Sequence, residues 1–186
     1  MTDSEILELF HSEHGKERAF TLLMNQYQEK IYWHVRRMVN NHDDADDVLQ
    51  NTFVKAWKGL ENFRADAQLF TWLYRIATNE ALNHLSSAKR KATVTFEGTK
   101  SEDDDSYAPS NYVKSDPYFN GDEIQQKLQQ AINTLPEKQK QVFLLRYYDE
   151  MPYEQMSEIL GTSVGALKAS YHFAAQKIES FLLNRD

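Results

Sequence analysis

At 186 residues, 41% of them hydrophobic, the chain can bury a real core as one ordinary domain or two small ones. With only 6 Gly and 4 Pro it favours long helices over a loop-rich β protein, and with 0 Cys it excludes disulfides, thiolate metal sites and a cysteine nucleophile. The net charge of -7 argues against tight, unaided binding of nucleic acid.

The start of the chain, Met1 to Phe10, is acidic and alternates polar with apolar residues, unlike a signal peptide. No run approaches the ~20 apolar residues that span a bilayer. A soluble, cytoplasmic protein without membrane insertion of its own is expected. A short helix is predicted around Ser4 to Phe10. Phe20, Leu23, Met24, Tyr27, Ile31, Val35 and Met38 then fall at three- and four-residue spacing, an amphipathic helix. Asn40, Asn41 and His42 break it. Asp43 or Asp44 can cap the next helix, whose Val48, Leu49, Phe53, Trp57 and Leu60 mark an inward face. A third helix is predicted from about Gln68 to Leu85, with Leu69, Leu73, Ile76, Ala77 and Ala81 inward.

The stretch 91–122 reads as an acidic linker. It holds 3 basic and 7 acidic residues, a net of -4, whereas 1–90 nets -2 and 123–186 nets -1. Ser101 to Ser106 is charged and poor in apolar groups, and Pro109, Asn111, Pro117 and Gly121 punctuate the rest of the stretch. Tyr107, Tyr112, Tyr118 and Phe119 are either docking groups or scattered aromatics in a coil.

Four helical stretches are predicted after it. Ile124, Leu128 and Ile132 mark the first. Pro136 opens the second, which continues through Val142, Phe143 and Tyr147. Tyr153 to Leu160 is short, and Val164 to about Leu183 is long. Gly161 stands where a helix needs a left-handed C-terminal residue, and Thr162 or Ser163 can cap the long helix. A short helix, a glycine turn and a longer helix form a helix-turn-helix pattern, although an ordinary helical hairpin has the same spacing. In the DNA-binding case Lys168, Ala169, Ser170 and His172 face base edges. The class is all-α: two small helical domains, 1–90 and 123–186, joined by a flexible linker over 91–122.

Asp43-Asp44-Ala45-Asp46-Asp47-Val48-Leu49-Gln50-Asn51-Thr52-Phe53-Val54-Lys55-Ala56-Trp57 resembles the polymerase-binding helix of extracytoplasmic-function (ECF) sigma factors. Phe63-Arg64, Phe70 to Asn79, Leu135 to Tyr147 and Tyr153 to Gly161 resemble further blocks of that family, in the same order. The resemblance implies a factor that binds core RNA polymerase and promoter DNA. Region two, over 1–90, would meet the polymerase clamp and melt the minus-ten element. Region four, over 123–186, would read the minus-thirty-five element and meet the polymerase flap. It also implies an anti-sigma partner and no cofactor, metal or catalytic group.

The residues fit those roles, each against a plainer reading. Asp46, Asp47, Gln50, Asn51 and Lys55 form an acid-and-amide face that suits a basic partner helix, or else an ordinary solvated face. By resemblance, the Phe63 to Leu69 loop captures a base flipped from one strand, with Phe63 as a wall and Asn79 as an amide for the base edge. Otherwise Phe63 is a helix-end staple and Asn79 a solvated polar position. Arg64, Arg75, Asn83, His84, Lys89, Arg90 and Lys91 are candidates for backbone phosphates, or a basic helix end. Two departures stand out. The family's recognition helix commonly carries several arginines, whereas here Lys168 is its lone full cation. Pro152 stands where the family often has a Ser or Thr cap. The alternative is a stand-alone helix-turn-helix regulator, which would leave the Asp46–Trp57 face idle. A helical enzyme or metal protein would need to use His34, His42 and His84 with the Asp43–Asp47 cluster, a spacing without a ligand pattern.

Overall fold

The computed structural model describes residues 1–98 and 122–184, and among them it is helical throughout. The helices are α1 (Asp3–His11), α2 (Lys16–Val39), α3 (His42–Leu60), α4 (Leu69–Gly98), α5 (Glu123–Asn133), α6 (Glu137–Tyr147), α7 (Tyr153–Leu160) and α8 (Val164–Leu183). Linker residues 99–121, with the aromatics from Tyr107 to Phe119, lie outside the described residues.

Caps and breakers set the boundaries. Thr2 accepts from Glu5 N–H at 3.3 Å while Glu5 accepts from Thr2 N–H at 2.7 Å, a reciprocal box that starts α1. Asn40 ends α2 with a left-handed φ of 66°, a conformation asparagine tolerates better than most residues. The cap of α3 is Asn41, not Asp43 or Asp44: its Oδ1 accepts from Asp44 N–H at 2.8 Å. The helix therefore starts two or three residues earlier, at His42, and Asp43 and Asp44 sit in its first turn, where the dipole favours them. In the C-terminal part, Gly161 takes φ 63° and ends α7, and Ser163 accepts from Ala166 N–H at 3.3 Å to start α8.

α4 runs on to Gly98, past its expected end near Leu85 and into the stretch assigned to the linker. Beyond Leu85 it continues through Ala88, Lys89, Arg90, Lys91 and Ala92, good helix formers without an apolar stripe, so periodicity could not report this stretch.

α2 lies against α1, α3 and α4. Phe10, Leu23, Ile31, Val35, Val48, Leu60, Leu73 and Ala77 form its buried centre. Trp57, expected in the core, is 37% exposed; it leans edge-on against Phe10 and Phe20. In the C-terminal unit α8 packs on α5, α6 and α7 around Ile132, Leu144, Leu145, Met156, Leu167, Ala174 and Ile178. Ile124, expected on the inner stripe, is 75% exposed because α5 begins only at Glu123 and its first turn overhangs the core.

The two units touch. α4 meets α7 and α2 meets α6. Polar groups meet there, and no pattern in the chain announces them.

Candidate polymerase and promoter interface

The outer row of α3 presents Asp47, Gln50 and Asn51 to solvent, three and four residues apart, with no side-chain hydrogen bond or ion pair among the described residues. Asp46, half-buried, is 3.2 Å from His42 Nε2 on the preceding turn. Lys55 is not a free end of the row: its ammonium is paired with Glu80 on α4. The row continues instead through Val54, 53% exposed, and Trp57. Trp57 was missed as a surface group because an apolar residue at helical spacing reads as core, and Val54 had no assignment. Their offsets of seven residues from Asp47 and Gln50 are the signal that places them on the outside.

The loop between α3 and α4 presents Phe63 and Arg64. Phe63 is half-buried, its ring 5.1 Å from that of Trp72 and inclined by 50°. Trp72 can lie there because Gly59 has no side chain: a Cβ on Gly59 would stand 3.0 Å from Trp72 Cζ2. Trp72 is thus the support beneath Phe63, a role that neither spacing nor composition announced. Arg75, Asn79 and Asn83 are exposed on α4 at four-residue steps. Phe63 and Asn79 do not pair directly; Asn79 lies two turns beyond Trp72, about 10 Å along the axis on the same face. His84 turns to Asp44 at 3.1 Å, Lys89 reaches Glu137 at 4.0 Å, and Arg90 Nε donates to Ser86 O at 3.4 Å.

On α8 the residues Lys168, Ala169 and His172 are exposed and Ser170 is half-buried. Leu167, Ala174 and Ile178 hold the opposite face in the core. Tyr171 stacks on Phe143 at 5.7 Å, a packing role as its spacing suggested. Lys168 Nζ sits 5.7 Å from the centre of the Tyr153 ring, near enough for a weak cation–π attraction that steadies it.

A polar seam joins the units. Arg75 Nη2 donates to Glu158 O at 2.6 Å, and Gln155 Nε2 donates to Gln68 Oε1 at 3.1 Å. Gln129 Nε2 donates to Asn40 Oδ1 at 2.8 Å, and Asn40 Nδ2 donates to Asn133 Oδ1 at 3.0 Å. The buried His34 faces Asp149 across the seam, Nδ1 to Oδ2 3.3 Å, with Nε2 bonded to Thr78 at 2.9 Å. Of the three histidines, His42 and His84 each meet one acid of the Asp43–Asp47 cluster while His34 lies apart in the seam, and no group of three or more metal-type ligands occurs among the described residues.

Lys140 inserts its ammonium into this seam, donating to Met38 O at 3.2 Å and Asn133 Oδ1 at 3.0 Å. Its stem is half-buried, but the charged end is dehydrated, and that burial pushes its pKa down to about 8, with Glu137 opposing and Lys89 adding to the shift. Below pH 8 the lysine is protonated whether folded or unfolded, and the burial cost stands in full. Between about 8 and 10.5 the folded chain releases the proton while the unfolded chain keeps it, so this group's contribution to stability rises with pH. Lys140→Met should remove that slope: relative to the wild type it should lose about 2 kcal/mol of stability between pH 7.5 and 9.5, read by urea unfolding. Parallel pH profiles would contradict the dehydrated ammonium.

The sigma-70 region 2 family model matches residues 23–91 and the sigma-70 region 4 model matches residues 125–178. The RNA polymerase sigma-H factor of Pseudomonas aeruginosa is 33% identical over 97% of this chain and 93% of its own length. The ECF RNA polymerase sigma-E factor of Haemophilus influenzae is 30% identical over 97% and 95%. This chain belongs to the ECF sigma factors. It is a transcription initiation factor that works with RNA polymerase at promoters. The fold agrees with solved structures. One is the sigma factor RpoE in complex with the anti-sigma factor NepR from Bartonella quintana, with a TM-score of 0.70 and 23% identity over 89% of this chain and 98% of that one. Another is CnrH in complex with the cytosolic domain of CnrY, with a TM-score of 0.66 and 20% identity over 96% and 93%. No described helix of this sigma factor is long and apolar enough to cross a membrane.

Proposed function

We propose that this sigma factor divides its work between the units 1–90 and 123–186, with 91–122 as the connection. The N-terminal unit docks on the polymerase clamp through Asp46, Asp47, Gln50 and Asn51, with Lys55 held beside them by Glu80. It melts the minus-ten element by capturing a base between Phe63 and Asn79. Arg64, Arg75, Asn83, His84, Lys89 and Arg90 hold the strand backbone. The C-terminal unit reads the minus-thirty-five element through Lys168, Ala169, Ser170 and His172 and meets the flap. The factor catalyses nothing itself, uses no cofactor and acts in the cytoplasm. Its likeness to the sigma factor RpoE solved with the anti-sigma factor NepR supports an anti-sigma factor as a further partner.

The observation that carries this reading is the unpartnered row Asp47, Gln50 and Asn51 beside a loop that displays Phe63 on a tryptophan support. A stand-alone regulator has no use for either feature. Titration of the labelled chain with core polymerase tests it: saturable one-to-one binding is expected, and its absence would leave the regulator as the better account.

Lys168→Ala should lower initiation about 5- to 10-fold at promoters that depend on a minus-thirty-five element, because a single lysine contact falls at the low end of the about 1–3 kcal/mol that a bidentate base contact contributes. Core binding should stay as it was. Unchanged initiation at every promoter would remove Lys168 from the recognition surface.

A further inference from the structure

Gly59 lies inside α3, one residue before its end at Leu60. Glycine is a poor helix former, and no turn requires one here: among the described residues, Gly161 is the glycine with a positive φ. What the position needs is space. A Cβ on Gly59 would stand 3.0 Å from Trp72 Cζ2 and 3.6 Å from Cη2, the first well inside the ~3.5–4.0 Å at which carbon atoms meet. The ring that would have to give way is the one against which Phe63 leans, with 5.1 Å between ring centres. We propose that Gly59 is a positioning residue for promoter opening: the room it leaves for Trp72 fixes where Phe63 stands relative to Asn79, and so which base the pair accepts. This rests on the reading of Phe63 and Asn79 as the base-capturing pair.

The local chain gives Phe63 little freedom to follow a displaced support. Asn62 N–H donates to Gly59 O at 3.1 Å and Phe63 N–H donates to Leu60 O at 3.2 Å, so Phe63 is wound onto the end of α3. Past Arg64 the loop turns through Ala65 at φ 56°, a left-handed conformation in which an alanine is held by its surroundings and not by preference. On the other side, Trp72 N–H donates to Gln68 O at 3.0 Å at the start of α4, and Asn79 is exposed two turns later on the same helix. The end of α3 thus carries the wall, α4 carries both its support and the amide, and the Gly59–Trp72 contact is a point where the two helices set their gap. A base is a rigid plate, so a gap changed by a fraction of an ångström alters stacking and edge contact together. Misplacement by about 1 Å can cost ~10²-fold in rate, and a smaller shift costs less.

In the full-length chain bound to core polymerase, Gly59→Ala should lower open-complex formation about 3- to 10-fold, read by permanganate reactivity, with core affinity within about twofold and helical content unchanged. On a promoter library randomised across the minus-ten element, base preference should flatten at one position and stay as it is at the others. A double-mutant cycle separates positioning from helix propensity. In a Trp72→Phe background, whose smaller ring lacks the two atoms that a Cβ would meet, adding Gly59→Ala should change opening by less than about twofold, whereas an effect on the helix itself would persist. Trp72→Phe alone should lower opening about 3-fold or more, because it draws the support from beneath Phe63, and it decides the matter if Gly59→Ala does not fold. Unchanged opening in Gly59→Ala, or in Trp72→Phe, would overturn the positioning role. So would a Gly59→Ala loss of the same size in both backgrounds, or one shared equally by core binding. A Phe63→Ala/Asn79→Ala chain that opens promoters as the wild type does would instead sink base capture, and the role of Gly59 with it.

Discussion

Replacing Phe63 and Asn79 together by alanine is expected to lower open-complex formation by about 10²-fold while changing affinity for core polymerase less than about twofold. A base leaves the stack at a cost of a few kcal/mol, and the protein must return that in the pocket. Stacking on an aromatic ring contributes about 1–3 kcal/mol per base. An amide bonded to the base edge contributes a similar amount. Losing both is therefore on the order of 3 kcal/mol, and each 1.36 kcal/mol is a factor of ten in rate. Neither side chain is used elsewhere in the fold's centre: Asn79 is exposed, and Phe63 is half-buried against Trp72. Permanganate reactivity of the melted strand reads opening, and equilibrium titration with core polymerase reads binding. Equal loss of both would contradict base capture, because a folding or docking defect lowers the two together.

Charge reversal on the outer row of α3 should do the opposite. Asp47→Lys with Gln50→Ala is expected to weaken core binding by about 10- to 100-fold, since a like charge in place of a complementary one at an interface costs several kcal/mol when water is excluded and less at a rim. Opening per bound complex should remain near the wild-type level. Both residues are exposed and make no side-chain contact among the described residues, so the fold should not move. Core affinity within twofold of the wild type would remove this row from the polymerase contact. The wild-type affinity should also fall with added salt more steeply than that of the variant, as screening acts on the pairs that the variant lacks.

The helices and their turn were legible because they depend on local rules. Leu23, Tyr27, Ile31 and Val35 repeat at four-residue steps and are all buried, and Gly161 and Ser163 meet the backbone needs of the turn between α7 and α8. The family blocks carried the assignment of roles further than spacing did. Trp57 shows the limit of periodicity: its aromatic ring looks like core, but its helix turns it to the rim. The length of α4 was hidden because the stretch from Ser86 to Ala92 continues the helix without an apolar stripe and leaves no periodic mark. The seam was out of reach altogether. Asn40 meets Gln129 across 89 positions and Lys140 meets Met38 across 102. Polar side chains that find each other over such separations obey no period, and only the packed units reveal that Arg75, read as a DNA contact, donates to the Glu158 carbonyl.

That this chain gives polymerase its promoters is tested most directly by transcription in vitro. Core RNA polymerase is supplied with a fragmented genomic library, with and without the purified chain, and transcript starts are sequenced. New starts are expected only with the chain present, sharing one element near minus ten and another near minus thirty-five. The Asp47→Lys/Gln50→Ala and Phe63→Ala/Asn79→Ala variants should each erase those starts. A set of starts that is the same with and without the chain would contradict the claim.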